Sequence, residues 1–270
     1  MPGKVRLLIA LLFLTALSTA AAEVLNWWFT RDADYGLFVR TTWALIRSLA
    51  FLLVIWQVRR GRSTAPPFAL ILAVTTLFAL GRLLIPKAGT PSTLGIVAFA
   101  WVALLSLAVL LLLYRSAQVR EYLSRHPSRM VFSAKGVEWK PVPPRRPPIP
   151  GRLLTARVAA LSYGPLVVVA AAVAMGRVFA GRIDLISVVV PWLVGGLALA
   201  YVVGLLTIFL IRGKRWPATA LLWLTVLVLA VDLPLCWLVL GVDGLVRDGG
   251  PLVVAALLAL AAIVRRPAPR

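Results

Sequence analysis

Asp232 is the residue of this chain with the most evident chemical potential. It stands in the apolar run LAVDLPLCW, two residues before Pro234. A charge inside a membrane-spanning helix is costly, and such residues usually face the protein interior or a water-filled cavity. Pro234 frees a backbone carbonyl nearby and can kink the helix. Two readings follow: an ion-coupled or proton-linked site, or, more ordinarily, a structural ion pair inside a helix bundle. Arg47, within another apolar run, is the natural partner. Measured from one membrane face at 1.5 Å per residue, Arg47 lies about 15 Å deep and Asp232 about 12 Å deep. Arg82 sits near the end of a third run, where a long cationic side chain can snorkel to the surface. Asp32 and Asp34 form a closely spaced acidic pair in WWFTRDADYG. Their plainer reading is a solvated loop beneath an aromatic belt of Trp27, Trp28 and Tyr35.

The remaining inventory excludes more than it offers. His126 is the only histidine and Cys236 the only cysteine. That argues against a protein-ligated zinc, a bis-histidine haem or a c-type haem attachment, and no disulfide can form within the chain. The sequence holds no P-loop, Gly-rich dinucleotide turn, HExxH or GxSxG. We therefore expect no catalytic residue, metal or cofactor. The intramembrane polar candidates are Asp232, Arg47 and Arg82, and the outer-loop acidic candidates are Asp32 and Asp34.

These residues need a scaffold, and composition dictates its type. Hydrophobic residues make up 61% of the 270 and charged residues 14%, with mean hydropathy +0.94. A soluble domain is about 45–50% apolar and about 25% charged. The excess apolar surface belongs in lipid, where backbone polar groups must pair internally. The apolar runs are long and do not alternate with period two, so the spans are helices and not barrel strands. Eight runs can be marked, roughly 7–25, 37–57, 67–86, 92–114, 158–178, 185–211, 218–240 and 251–264. The eighth is shorter than the ~20 residues a span needs. Arg265 and Arg266 can lengthen it by snorkelling. The expected fold is all-α, a polytopic transmembrane bundle of about eight spans.

The net charge of +20 fits that topology. Nucleic acid is not an expected partner, because cytoplasmic loops of membrane proteins accumulate Lys and Arg. One alternating set of loops carries 21 of the 29 basic residues and the other set 6. The bias places both termini in the cytoplasm of a plasma-membrane protein. The N-terminus has a competing reading. Lys4 and Arg6, the run LLIALLFLTAL and the small residues from Ser18 to Ala22 resemble a signal peptide. Because apolar character continues through Val24 and Leu25, an uncleaved anchor is preferred; cleavage would leave seven spans and an outside N-terminus.

Arg60-Gly61-Arg62 follows the second run and Arg212-Gly213-Lys214 the sixth. Two four-helix halves in parallel orientation, 1–114 and 158–270, would explain this echo. Coincidence explains it too, since basic inner turns are expected anyway. Between the halves lies the basic segment 115–157. Arg115 to Ser124 can continue the fourth helix, and His126-Pro127 ends it. Met130 to Val142 reads as a small hairpin around Ala134-Lys135-Gly136. The stretch from Pro141 to Pro150 is stiff and proline-rich. It is a spacer on the plain reading and a docking site for a protein partner or anionic lipid on the sharper one.

The Asp32-Ala33-Asp34 motif resembles the first outer loop of membrane glycosyltransferases that use lipid-linked sugars, and the resemblance ends there. The leading expectation is a small permease-like or transport-associated protein with its path between the two halves. The alternative is a non-catalytic anchor or assembly subunit that recruits a partner through 115–157. A membrane enzyme acting on lipid is least favoured, because catalytic groups are so scarce. The Ala, Leu, Val, Arg and Pro bias suggests a bacterial, GC-rich source.

Overall fold

The computed structural model describes residues 1–30, 34–81, 92–123, 128–133, 136–141, 151–214 and 216–264. Helices dominate: α1 (Gly3–Phe29), α2 (Tyr35–Arg59), α3 (Ala65–Gly81), α4 (Ser92–Arg115), α5 (Ala117–Leu123), α6 (Gly151–Leu161), α7 (Tyr163–Phe179), α8 (Ile186–Ile211), α9 (Trp216–Leu235), α10 (Gly241–Gly244) and α11 (Gly250–Val264). Two strands, β1 (Ser128–Ser133) and β2 (Gly136–Pro141), pair antiparallel with Ser133 opposite Gly136. This is the hairpin expected around Ala134-Lys135-Gly136. The proline-rich stretch beyond Pro141 lies outside the described residues.

Local chemistry sets the helix ends. Pro66 and Pro67 lie in the first turn of α3 and Pro217 in that of α9. A missing N–H costs nothing there, because first-turn donors have no partner within the helix. At the other ends, Gly61 (φ +64°), Gly181 (φ +99°) and Gly213 (φ +77°) take the left-handed conformation. At each, the glycine N–H bonds the carbonyl three residues back and the next N–H bonds the carbonyl five back. That is the Schellman cap. The echo between Arg60-Gly61-Arg62 and Arg212-Gly213-Lys214 therefore has a local cause. It recurs after α7 at Ala180-Gly181-Arg182, where the proposed duplication has no counterpart.

Six helical segments are long and apolar enough to cross a membrane: Gly3–Phe29, Tyr35–Arg59, Thr93–Arg115, Gly151–Phe179, Ile183–Ile211 and Trp216–Val264. They mark the chain as a membrane-protein type, as composition requires. The count differs from the expected eight for two reasons. The third run forms only the 17-residue Ala65–Gly81 among the described residues. The seventh and eighth runs merge into one 49-residue helical stretch. That stretch is not straight. Two wide-turn π-helical segments, Cys236–Leu240 and Leu245–Gly249, flank α10. Gly241 between them has φ +76° and ψ −169°, and α11 packs back against α9.

The outward faces carry large apolar side chains such as Phe13, Leu49, Trp223 and Leu238, while polar residues including Thr15, Arg47, Thr76, Thr225 and Asp232 are buried. That inversion suits lipid as solvent. One buried apolar cluster joins α1–α5 and runs from Val5 to Leu123. A second joins α6–α9 and α11 and includes one buried residue of α3, Ile71. The two groups meet where α2 packs on α7 and α3 packs on α6 and α11. α6 starts at Gly151, inside the segment expected to be a loop, with Leu154 and Ala156 buried. Among the small residues of α8, Gly196 lies against Val167 and Val168, whereas Gly195 meets open space. Gly164 of α7, which sequence inspection passed over, backs directly onto Ala200.

Candidate functional site

Asp232 is buried at 2% exposure near the end of α9. Its Oδ1 accepts a 2.8 Å hydrogen bond from the indole Nε1 of Trp192 on α8, and the Cys236 thiol lies 3.6 Å from Oδ2. A π-helical segment begins at Cys236, two residues after Pro234. Proline removes an N–H from the helical ladder, and the wider turn accommodates the loss. One indole and one thiol give a buried carboxylate neutral donors.

Arg47 is also buried, at 4% exposure, but beside different groups. Its Nη1 donates to the backbone carbonyl of Thr75 on α3 at 2.7 Å. Its Nε has no hydrogen-bond partner among the described residues. The expected Arg47–Asp232 pair is thus absent. Matched depth was the reason to expect it; depth fixes a residue's height in a bundle but not the direction its helix face points. Arg47 is directed at α3, while Asp232 is turned to α8.

A largely buried ion pair lies elsewhere. Arg40 on α2 grips Asp248 with two hydrogen bonds, Nη2 to Oδ2 at 2.6 Å and Nε to Oδ1 at 3.3 Å. Asp248 is 8% exposed within the π-helical segment Leu245–Gly249. Arg247 pairs with Asp243, one turn earlier, at 2.7 Å. Arg40 falls near the start of the second apolar run and Asp248 between the seventh and eighth. Residues 245–249 pack against α3 and α7 and reach α2 through Asp248, with Gly249 close to Leu233 and Cys236, and Gly250 against Phe78. A small cavity of about 30 Å³ is lined by Arg40, Trp43, Arg47, Leu166, Arg247 and Asp248. That is room for a water-sized guest with several polar partners.

A larger groove of about 450 Å³ runs from this region along α2, α3, α6 and the start of α7. It shares Trp43, Arg47 and Leu166 with the small cavity. Arg47, Arg62 and Arg157 line it together with Gln57, Thr64 and Ser162, and among the described residues no carboxylate does. The Nε of Arg157 is buried without a hydrogen bond among the described residues. A charge-bearing polar atom buried without a partner is expensive. Two at one groove give it a marked demand for an acceptor.

The acidic candidates fare unequally. Asp34 is the N-cap of α2, its Oδ1 accepting from the Leu37 N–H at 2.6 Å. That is a structural duty of its residue type. Asp32 and Arg82 lie outside the described residues. Trp27 packs edge-on to Phe38 at 6.4 Å, and Tyr35 to Phe179 at 5.0 Å, an aromatic cluster at this end of the bundle. Sequence reading missed Arg40, Asp248, Arg157 and Trp192. For Asp248 the available signal was weak: GVDGLVRDGG reads as an ordinary polar turn. No protein-family model, no curated protein and no solved structure matches this chain.

Proposed function

We propose that this chain is a small permease-like membrane protein with its solute path between α2 and α3 on one side and α6 and α7 on the other. The observation that carries the reading is the sharing of Trp43, Arg47 and Leu166 by the 450 Å³ groove and the small cavity beyond it. Buried cationic residues at membrane depth commonly mark substrate pathways. Arg40 and Asp248 close the far end of the cavity and would have to part for passage. In this reading eight segments cross the membrane, α3 and α11 among them, in two groups of four. The positive-inside bias puts both termini and Arg62 in the cytoplasm, at the plasma membrane.

Efflux from proteoliposomes tests the reading. Vesicles loaded with carboxylate and phosphate solutes are expected to leak at least one of them faster with protein than without. Arg47→Gln, confirmed as folded, should slow that flux. Absence of protein-dependent flux across the panel would reject the permease reading. Replacement of 128–150 by a neutral flexible linker should leave the flux intact. Its abolition in a folded protein would favour the anchor that works through its basic loop.

A further inference from the structure

The groove also bears on the class of ligand. Three arginines, Arg47, Arg62 and Arg157, line one concave surface with no counter-carboxylate among the described residues. Arg47 is buried, and the Nε atoms of Arg47 and Arg157 have no acceptor among the described residues. Leaving a desolvated guanidinium partly unbonded is costly, and the guanidinium is the side chain best suited to phosphate and carboxylate oxygens. Much of the remaining wall is apolar, including Ile46, Phe68, Leu72 and Leu161. Ile46 and Leu161 are themselves exposed, 49% and 38%, in faces that suit lipid. Arg62, by contrast, follows the Gly61 cap, where α2 leaves the bundle. The groove is therefore cationic at its helix-end mouth and within, and apolar where it opens sideways. Its volume falls within the ~300–1,000 Å³ range of small-molecule sites.

We propose that this groove binds an anionic phospholipid, its phosphate between Arg62 and Arg157 and its acyl portion along Ile46, Phe68 and Leu161. A soluble anion would satisfy the arginines but leave the apolar walls without a use. A neutral lipid would fill the walls and leave the arginines unmatched. The inference builds on the permease-like reading in taking the groove as its ligand site. Binding is measured without flux, so failure to bind and failure to transport are separate results.

The test uses the whole chain, purified in a mild detergent, with native mass spectrometry to count retained lipids. Phosphatidylglycerol is expected to be retained over phosphatidylcholine by roughly tenfold or more, since each basic residue near a headgroup contributes appreciably. The double variant Arg62→Gln/Arg157→Gln should lose that preference. The matched variant Arg212→Gln/Lys214→Gln, which removes as much charge outside the groove, should keep it. Equal loss in both variants would mean diffuse surface attraction and overturn the proposal. So would equal retention of the two lipids by the unaltered protein. In a third arm, inorganic phosphate at millimolar concentration should displace little phosphatidylglycerol. Complete displacement would assign the site to a free anion instead. Circular dichroism and thermal unfolding of each variant confirm that the protein compared is folded.

Discussion

Arg40 and Asp248 carry the most direct residue-scale prediction. Their guanidinium–carboxylate contact is two-pronged and largely buried. Removing one partner leaves the other charge uncompensated, which costs about 3–5 kcal/mol for a buried pair, whereas removing both is far milder. Arg40→Leu and Asp248→Leu should each lower the unfolding temperature in detergent, and the double variant should regain most of the loss. Arg47 and Asp232 have separate partners, so Arg47→Leu and Asp232→Leu should be close to additive. Coupling above about 1 kcal/mol between those two would contradict the hydrogen bonds to Thr75 and Trp192. Asp232 and Arg47 were legible as buried polar residues because each breaks a long apolar run. Their partners were not. Trp192 looks like any lipid-facing aromatic in sequence, and a backbone carbonyl such as that of Thr75 has no sequence signature.

At the scale of elements, cap glycines and packing glycines separate cleanly. Gly213 needs its positive φ to end α8, so Gly213→Ala should destabilise by about 1 kcal/mol. Gly164 allows α7 and α8 to touch at Ala200. Gly164→Val should force those helices apart and cost about 1–3 kcal/mol or more, as overpacking does. Gly195→Val, one position from the tightly packed Gly196, meets open space and should be tolerated. Thermal unfolding of the three variants ranks them, and an intolerant Gly195 would show that its face is covered by something further. Helices were legible here because hydrophobic run length reports on spans directly. Their ends were less so. α6 was concealed by Arg152 and Arg157, which made its first turns look like loop, although Leu154 and Ala156 pack inside. The π-helical segments around Gly241 escaped notice as well. Their residues, apart from Arg247 and Asp248, differ little from those of α9 or α11.

The chain's passage through the membrane is the whole-molecule question, and the 216–264 stretch decides it. Forty-nine residues in one straight helix would extend about 73 Å, more than twice the ~30 Å hydrocarbon core. The chain must turn, and Gly241, with its positive φ, is where the backbone allows it. α11 then returns alongside α9. The contacts of Asp248 with Arg40 and of Phe179 with Tyr35 gather the turn, the start of α2 and the end of α7 at one end of the bundle. α3, at 17 residues, extends about 25 Å, short of the full core but within reach of thinning or snorkelling. If α3 and α11 both cross, exposed positions must alternate between the two sides of the membrane. In a background with Cys236→Ala, single cysteines at Thr93, Asp184 and Val242 should react with an impermeant thiol reagent on intact cells. Cysteines at Ser63, Lys214 and Ala268 should react only after permeabilisation. Labelling of Ser63 and Thr93 from one side would remove α3 from the spans. Labelling of Val242 and Ala268 from one side would remove α11 and leave the turn at Gly241 inside a dipping, non-crossing segment.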